Sequence, residues 1–222
     1  MAITVVASVK AQSTDNNAVT TAAIDTTGAT HLFAVISEQL TGGAAPTDSK
    51  GNTWAPGPTN VIQNPGVTSW YVKNPVVGTG HTFTGGGTTT FPSIYVIASS
   101  STDTAENLDQ SNNGASAGGT VQPGSVTPTV DDEIVFTGLA ISNGPSPTID
   151  SGFTLAQGAA STATSYGGGV AYLIQTTAAA ANPTWTSTAS GNLASVVATF
   201  KPAAAGAAVT PILMRQYRAR KN

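Results

Sequence analysis

Short apolar runs and clusters of turn residues alternate along the whole chain. Leu32 to Ser37, Ile94 to Ala98, Ile134 to Leu139 and Ala194 to Phe200 are compact runs of the kind that fill strands buried on both faces. Trp70 and Val72 set against Tyr71 and Lys73 have the period of two of a half-buried strand. Asp, Asn, Gly and Pro clusters separate the runs and supply turn chemistry. Polar strands are expected at Ala18 to Ile24, His81 to Thr84, Gly119 to Val126 and Thr184 to Ser187. Nothing has the length and period of a helix. The pattern predicts eight to twelve short strands in a β-sandwich or barrel.

The same string of elements occurs twice. Laid over itself at an offset of 101 or 102, the chain matches in order at five places. His31 to Val35 falls on Glu133 to Thr137, and Pro46 to Trp54 falls near Pro147 to Leu155. Tyr71-Val72 falls on Tyr172-Leu173, Thr82 to Thr84 on Thr184 to Thr186, and Ser93 to Ile97 on Ser195 to Thr199. A tandem duplication of halves of ~100 residues follows, residues 1–102 and 103–201, with a linker and basic C-terminal arm over 202–222. A half of ~100 residues could fold alone as a small sandwich, but each half is short of large apolar residues, so the expected fold is one antiparallel, all-β sandwich of jelly-roll type, built from both halves, plus the extended arm. In this alignment Asp48 and Asp150 occupy equivalent turns.

Composition sharpens the picture. Hydrophobic residues make up 40% of the 222, enough for a core, while charged residues make up only 9%, against roughly 25% in an average soluble chain. Few charges with 24 Gly and 13 Pro disfavour exposed helices and suit strands and turns. Absence of cysteine excludes disulfides, thiolate nucleophiles and cysteine metal sites. No apolar run approaches the ~18 residues of a membrane helix, and Met1 to Lys10 reads as an alternating strand rather than a signal peptide. Charge is split along the chain. Residues 1–200 carry three basic residues against all eleven acids, a net −8. Residues 201–222 carry five basic residues and no acid, a net +5. Such asymmetry marks an element with its own partner.

Four segments carry a resemblance. Thr26 to Thr30 (Thr-Thr-Gly-Ala-Thr), Asp48 to Trp54 (Asp-Ser-Lys-Gly-Asn-Thr-Trp), Gly78 to Thr84 (Gly-Thr-Gly-His-Thr-Phe-Thr) and Ala198 to Pro202 (Ala-Thr-Phe-Lys-Pro) resemble a family of two-half β-sandwich surface proteins of phages and bacteria. The resemblance covers nearly everything before the arm. It implies a virion structural protein, assembled in the host cytoplasm, and no catalytic motif.

The residues themselves offer little chemistry. His31 and His81 stand at no metal-ligand spacing, and no Gly-x-Ser-x-Gly elbow accompanies the many serines. Asp131-Asp132-Glu133 reads as a turn that keeps its charges in water. Asp103, Glu106 and Asp109 read as a solvated linker rather than a calcium site, and Gly85 to Gly87 and Gly167 to Gly169 as loops. No cofactor, metal or enzymatic activity is expected. Two binding features remain. In the arm, Ile212, Leu213 and Met214 suit an apolar groove, while Arg215, Tyr217, Arg218, Arg220 and Lys221 suit carboxylates on a neighbour. Four charges without a folded platform make poor nucleic-acid contacts. The expected partners are a major capsid protein, other virion proteins, or further copies of this chain, with trimers at capsid symmetry points and no membrane. The expected function is capsid decoration, or cementing, through the arm. The alternative is a carbohydrate- or receptor-binding module stacking sugars on Trp54, Trp70 or Trp185.

Overall fold

The computed structural model describes residues 2–39, 43–61, 64–105, 108–150, 152–188 and 191–204. Every regular element among them is a strand. The first half contains β1 (Thr4–Gln12), β2 (Val19–Thr20), β3 (His31–Glu38), β4 (Thr47–Asp48), β5 (Ala55–Asn60), β6 (Gly66–Lys73), β7 (Phe83–Gly85) and β8 (Ser93–Ser100). The second contains β9 (Ser111–Ser116), β10 (Gly119–Val121), β11 (Glu133–Ile141), β12 (Thr148–Ile149), β13 (Thr154–Ala159), β14 (Gly167–Gln175), β15 (Trp185–Ser187) and β16 (Leu193–Phe200).

These sixteen strands form four antiparallel sheets. In the first half the order β1-β8-β3-β6-β5 makes a five-stranded sheet and β2-β7-β4 a three-stranded one. The second half has β9-β16-β11-β14-β13 and β10-β15-β12. Strand for strand, the two halves share one order.

The two five-stranded sheets pack face to face. Alternate residues of β3 (His31, Phe33, Val35) meet alternate residues of β11 (Ile134, Phe136, Ala140) in a central core that also takes in Tyr71, Tyr95, Ile97, Val170, Val196 and Phe200. Phe33 stacks on Phe136 across the junction, with ring centroids 4.7 Å apart and planes at 9°. At the centre the sheets approach so closely that a Cβ on Gly138 would lie 2.5 Å from Val35 Cγ2. Each small sheet covers the outer face of its own large one. Phe83 of β7 packs on Leu32, Ala34 and Ile36, and Trp185 of β15 packs on Leu139, Ile141 and Leu193. The result is four layers of three, five, five and three strands. This differs from a single two-sheet sandwich: each half is layered by itself and then shares a second core with its mate. It also explains the unbroken apolar runs, since β3, β8, β11 and β16 are covered on both faces.

The edges are closed by side chains. Along β1, Ser8 Oγ, Lys10 Nζ and Gln12 Nε2 donate to the carbonyls of Ala156, Gly158 and Ala160 of the facing edge, and Gln157 Nε2 returns a bond to Ser8 Oγ at 2.9 Å. At the opposite side Asn60 Nδ2 bonds Asn113 Oδ1 at 3.0 Å.

Three readings of the sequence are corrected here. Glu133 opens β11 and is fully buried, unlike the exposed Asp131 and Asp132. Its Oε1 accepts the amides of Thr129 (2.8 Å) and Val130 (3.0 Å). Gly167 to Gly169 lie within β14 rather than in a loop; a Cβ on Gly168 would meet the Leu139 carbonyl at 2.1 Å. Asp150 is not the counterpart of Asp48. Asp48 pairs with Phe83, and the residue pairing with Trp185 is Ile149.

Candidate functional site

Most of the polar chemistry of the first half gathers at one point. The Asp48 carboxylate ends β4. Its Oδ1 accepts from His81 Nε2 (3.0 Å), Asn52 Nδ2 (3.0 Å) and the Lys50 amide (2.9 Å), and its Oδ2 from Trp54 Nε1 (2.9 Å). His81 Nδ1 lies 2.9 Å from Thr26 Oγ1, which also accepts the Gly78 amide at 3.1 Å. With Nε2 facing a carboxylate, that nitrogen carries a proton, and the Thr26 hydroxyl also lies in donating position 3.3 Å from Gly78 O. Burial pushes the Asp48 carboxyl up, but the bonds from His81, Trp54 and the Lys50 amide outweigh it and hold it below the ordinary carboxylate value.

Hydroxyl, imidazole and carboxylate thus stand in the connectivity of a hydrolytic triad. Thr26 and His81 are nevertheless fully buried, and the Asp48 side chain has no exposure. A nucleophile must meet its substrate, and this hydroxyl meets only protein. The arrangement is a clamp that ties together three loops, and three of the quoted motifs (26–30, 48–54 and 78–84) converge on it. In the second half, Ile149 stands in place of Asp48, and the bridge Ile24↔His81 is matched by Val126↔Ala181. There the corresponding space is apolar, closed by Trp185, whose Nε1 donates to Thr137 Oγ1 at 2.9 Å.

The proposed sugar platforms are largely unavailable. Trp185 is 0% exposed and Trp54 7%, so neither offers a ring face. Trp70 is half-buried against the outer core of the first half, with its indole N–H turned inward. Of the acids between the halves, Asp103 caps the amide of Ala105 at 2.8 Å. Asp109 takes the Thr129 hydroxyl (3.0 Å) and an ion pair with Lys201 (3.3 Å); Glu106 lies outside the described residues. Burial lifts the nearby Glu133 carboxyl above its ordinary value, and the Asp109 charge adds to this. Among the described residues no three His, Cys, Asp or Glu side chains group as metal ligands. Ile212, Leu213, Met214, Arg215, Tyr217, Arg218, Arg220 and Lys221 lie outside the described residues. No family model matches the chain, and no curated protein or solved structure matches it.

Proposed function

We propose that the chain is a virion structural protein without catalytic activity, a capsid decoration or head-surface protein held in place by residues 211–222. The observation that carries this reading is the division of charge, −8 over residues 1–200 and +5 over residues 201–222. A body with few charges and a cationic, partly apolar segment suits docking on an acidic neighbour, either a capsid subunit or another copy of the chain. The geometry is compatible with that role. Among the described residues, large apolar side chains above a third exposed are scattered singly (Val6, Val61, Val76, Val130, Leu155) and form no broad apolar face. Ala203 donates to Ser101 O at 2.7 Å and Pro202 bridges Thr102, so the chain is fixed to the junction of the halves just before the basic segment.

The same proposal reads each half as a jelly roll derived by duplication. In such a fold strands 1, 8, 3 and 6 share one sheet and 2, 7 and 4 the other. That is the order of both halves here, with the fifth strand paired to the sixth.

Co-sedimentation with purified particles lacking the protein tests the function. The full chain should pellet with them, and a truncation ending at Pro202 with an unchanged circular dichroism spectrum should stay in solution. Equal pelleting of both would end the anchoring role of residues 211–222. Failure of both to pellet would end the capsid reading itself.

A further inference from the structure

A cavity of about 190 Å³ opens at the seam between the halves, lined by Phe91, Ser142, Thr162, Ala163, Ser165 and Tyr166. Phe91 comes from the β7–β8 loop and Tyr166 from the β13–β14 loop. The Tyr166 amide donates to Phe91 O at 2.8 Å, and the rings stand 6.0 Å apart at 70°. Both are only half-buried.

Three observations indicate that this pair serves more than packing. First, Phe91 has φ +53° and its neighbour Thr89 φ +61°, a backbone well that a bulky side chain avoids unless its surroundings impose it, and such strain gathers at ligand clamps. The surroundings do impose it: Thr90 between them is buried, its amide donates to Asn16 O (3.1 Å) and its carbonyl accepts from Gln39 (2.8 Å). Second, the fold does not require the aromatic pair. Strand register places each residue of β1, β3, β6 and β8 102 positions before its counterpart, as Lys73, partner of His31, precedes Gln175, partner of Glu133. Tyr166 then corresponds to Asn64, and Phe91 to Leu193, which is fully buried in β16. Third, the lining is uncharged. Ser142, Thr162 and Ser165 bring hydroxyls, and Thr162 Oγ1 lies 2.8 Å from Ser165 Oγ, itself held by Gln12 Nε2 at 3.1 Å. The Tyr166 hydroxyl has no hydrogen-bond partner among the described residues.

Aromatic walls with a rim of fixed hydroxyls and no charge match a neutral, polyhydroxylated ring, whose apolar face stacks while its edge hydrogen-bonds. The volume lies below the ~300–1,000 Å³ typical of sites for drug-sized ligands, which limits the occupant to one ring. We propose that this cleft binds a single neutral hexopyranose unit, terminal or within a glycan, with Phe91 and Tyr166 as its apolar walls.

The test is amide chemical-shift titration of the full chain with methyl glucopyranoside, methyl galactopyranoside and N-acetylglucosamine, with mannitol as the acyclic control. At least one pyranose should give saturable shifts confined to residues near 91, 142 and 162–167, in the millimolar range expected of one ring, while mannitol gives none. Tyr166→Ala should abolish them. Ala163→Trp, at an exposed turn position, should do the same by filling the mouth, and it keeps the test open should the first variant fail to fold. No saturable shift with any pyranose, equal shifts with mannitol, or unchanged shifts in either folded variant would overturn the proposal.

Discussion

His31 is a buried imidazole with no hydrogen bond at either nitrogen. It lies between Tyr71 and Phe136, with Phe200 at 4.2 Å. Burial, reinforced by the Lys73 charge, pushes its pKa down to about 3 from 6.5. The folded pKa is the lower one, so between those values the unfolded chain binds the proton and the folded chain does not. Stability from this residue is therefore complete above pH 6.5 and lost on acidification towards pH 3, at about 1.4 kcal/mol per unit. His31→Phe keeps the stack and removes both orphan nitrogens. Unfolding free energies measured by denaturant from pH 7 to pH 4 should fall less steeply for the variant, which should also be the more stable at pH 5. Coincident slopes would refute this account of His31. Asp48 and Asp109, held low, and Glu133, held high with the opposite sign, titrate in both proteins and cancel in the comparison. At this scale the sequence was only partly legible. His81, Asp48 and Thr26 stood out as motif residues, yet their meeting depends on three loops closing, which spacing alone does not encode. Phe91 and Tyr166 gave no signal at all, because an aromatic in a loop looks the same whether it packs or binds.

Among the elements, the ones legible in sequence are those covered on both faces. β3, β8, β11 and β16 showed as apolar runs, and only their ends moved. Of the edge strands, β1 showed as the alternating stretch Met1 to Lys10, but β5, β9 and β13 did not. β5 contains Pro56 and Pro58, which a central strand excludes but an edge tolerates, here with a register shift between Pro56 and Thr59. β9 reads Ser-Asn-Asn-Gly-Ala-Ser, a loop by composition, and β4 and β12 are two-residue strands inside what looked like turns. Edges invite unwanted pairing, and the β1 ladder covers one of them with donors two residues apart. Lys10→Ala with Gln12→Ala removes two of its three rungs. The double variant should lose about 1–2 kcal/mol and show concentration-dependent association by light scattering through the uncovered β13 carbonyls. Unaltered stability together with an unaltered association state would mean that the ladder neither stabilises nor protects.

For the whole molecule, the two halves share one strand order, and how they meet was not legible in the sequence. The offset is 102 along β1, β3, β6 and β8 but 98 along β5, so Trp70 rather than Tyr71 corresponds to Tyr172. The scarcity of large apolar residues in each half favoured one shared sandwich over two small ones. The small sheets answer this differently, by covering the outer faces and leaving the inner faces to complete each other. That arrangement makes β3 and β11 the contact on which the four layers depend, with Gly138 against Val35 at its centre. Gly138→Ala should cost about 1–3 kcal/mol by overpacking, and Val35→Ala about 2 kcal/mol by leaving a cavity. Combined, the new methyl of one enters the space vacated by the other, so the double variant should be clearly more stable than the sum of the singles predicts. Thermal and denaturant unfolding of the four proteins gives the coupling directly. Strict additivity would mean that the two residues do not touch, and the face-to-face packing of the halves would fall with it.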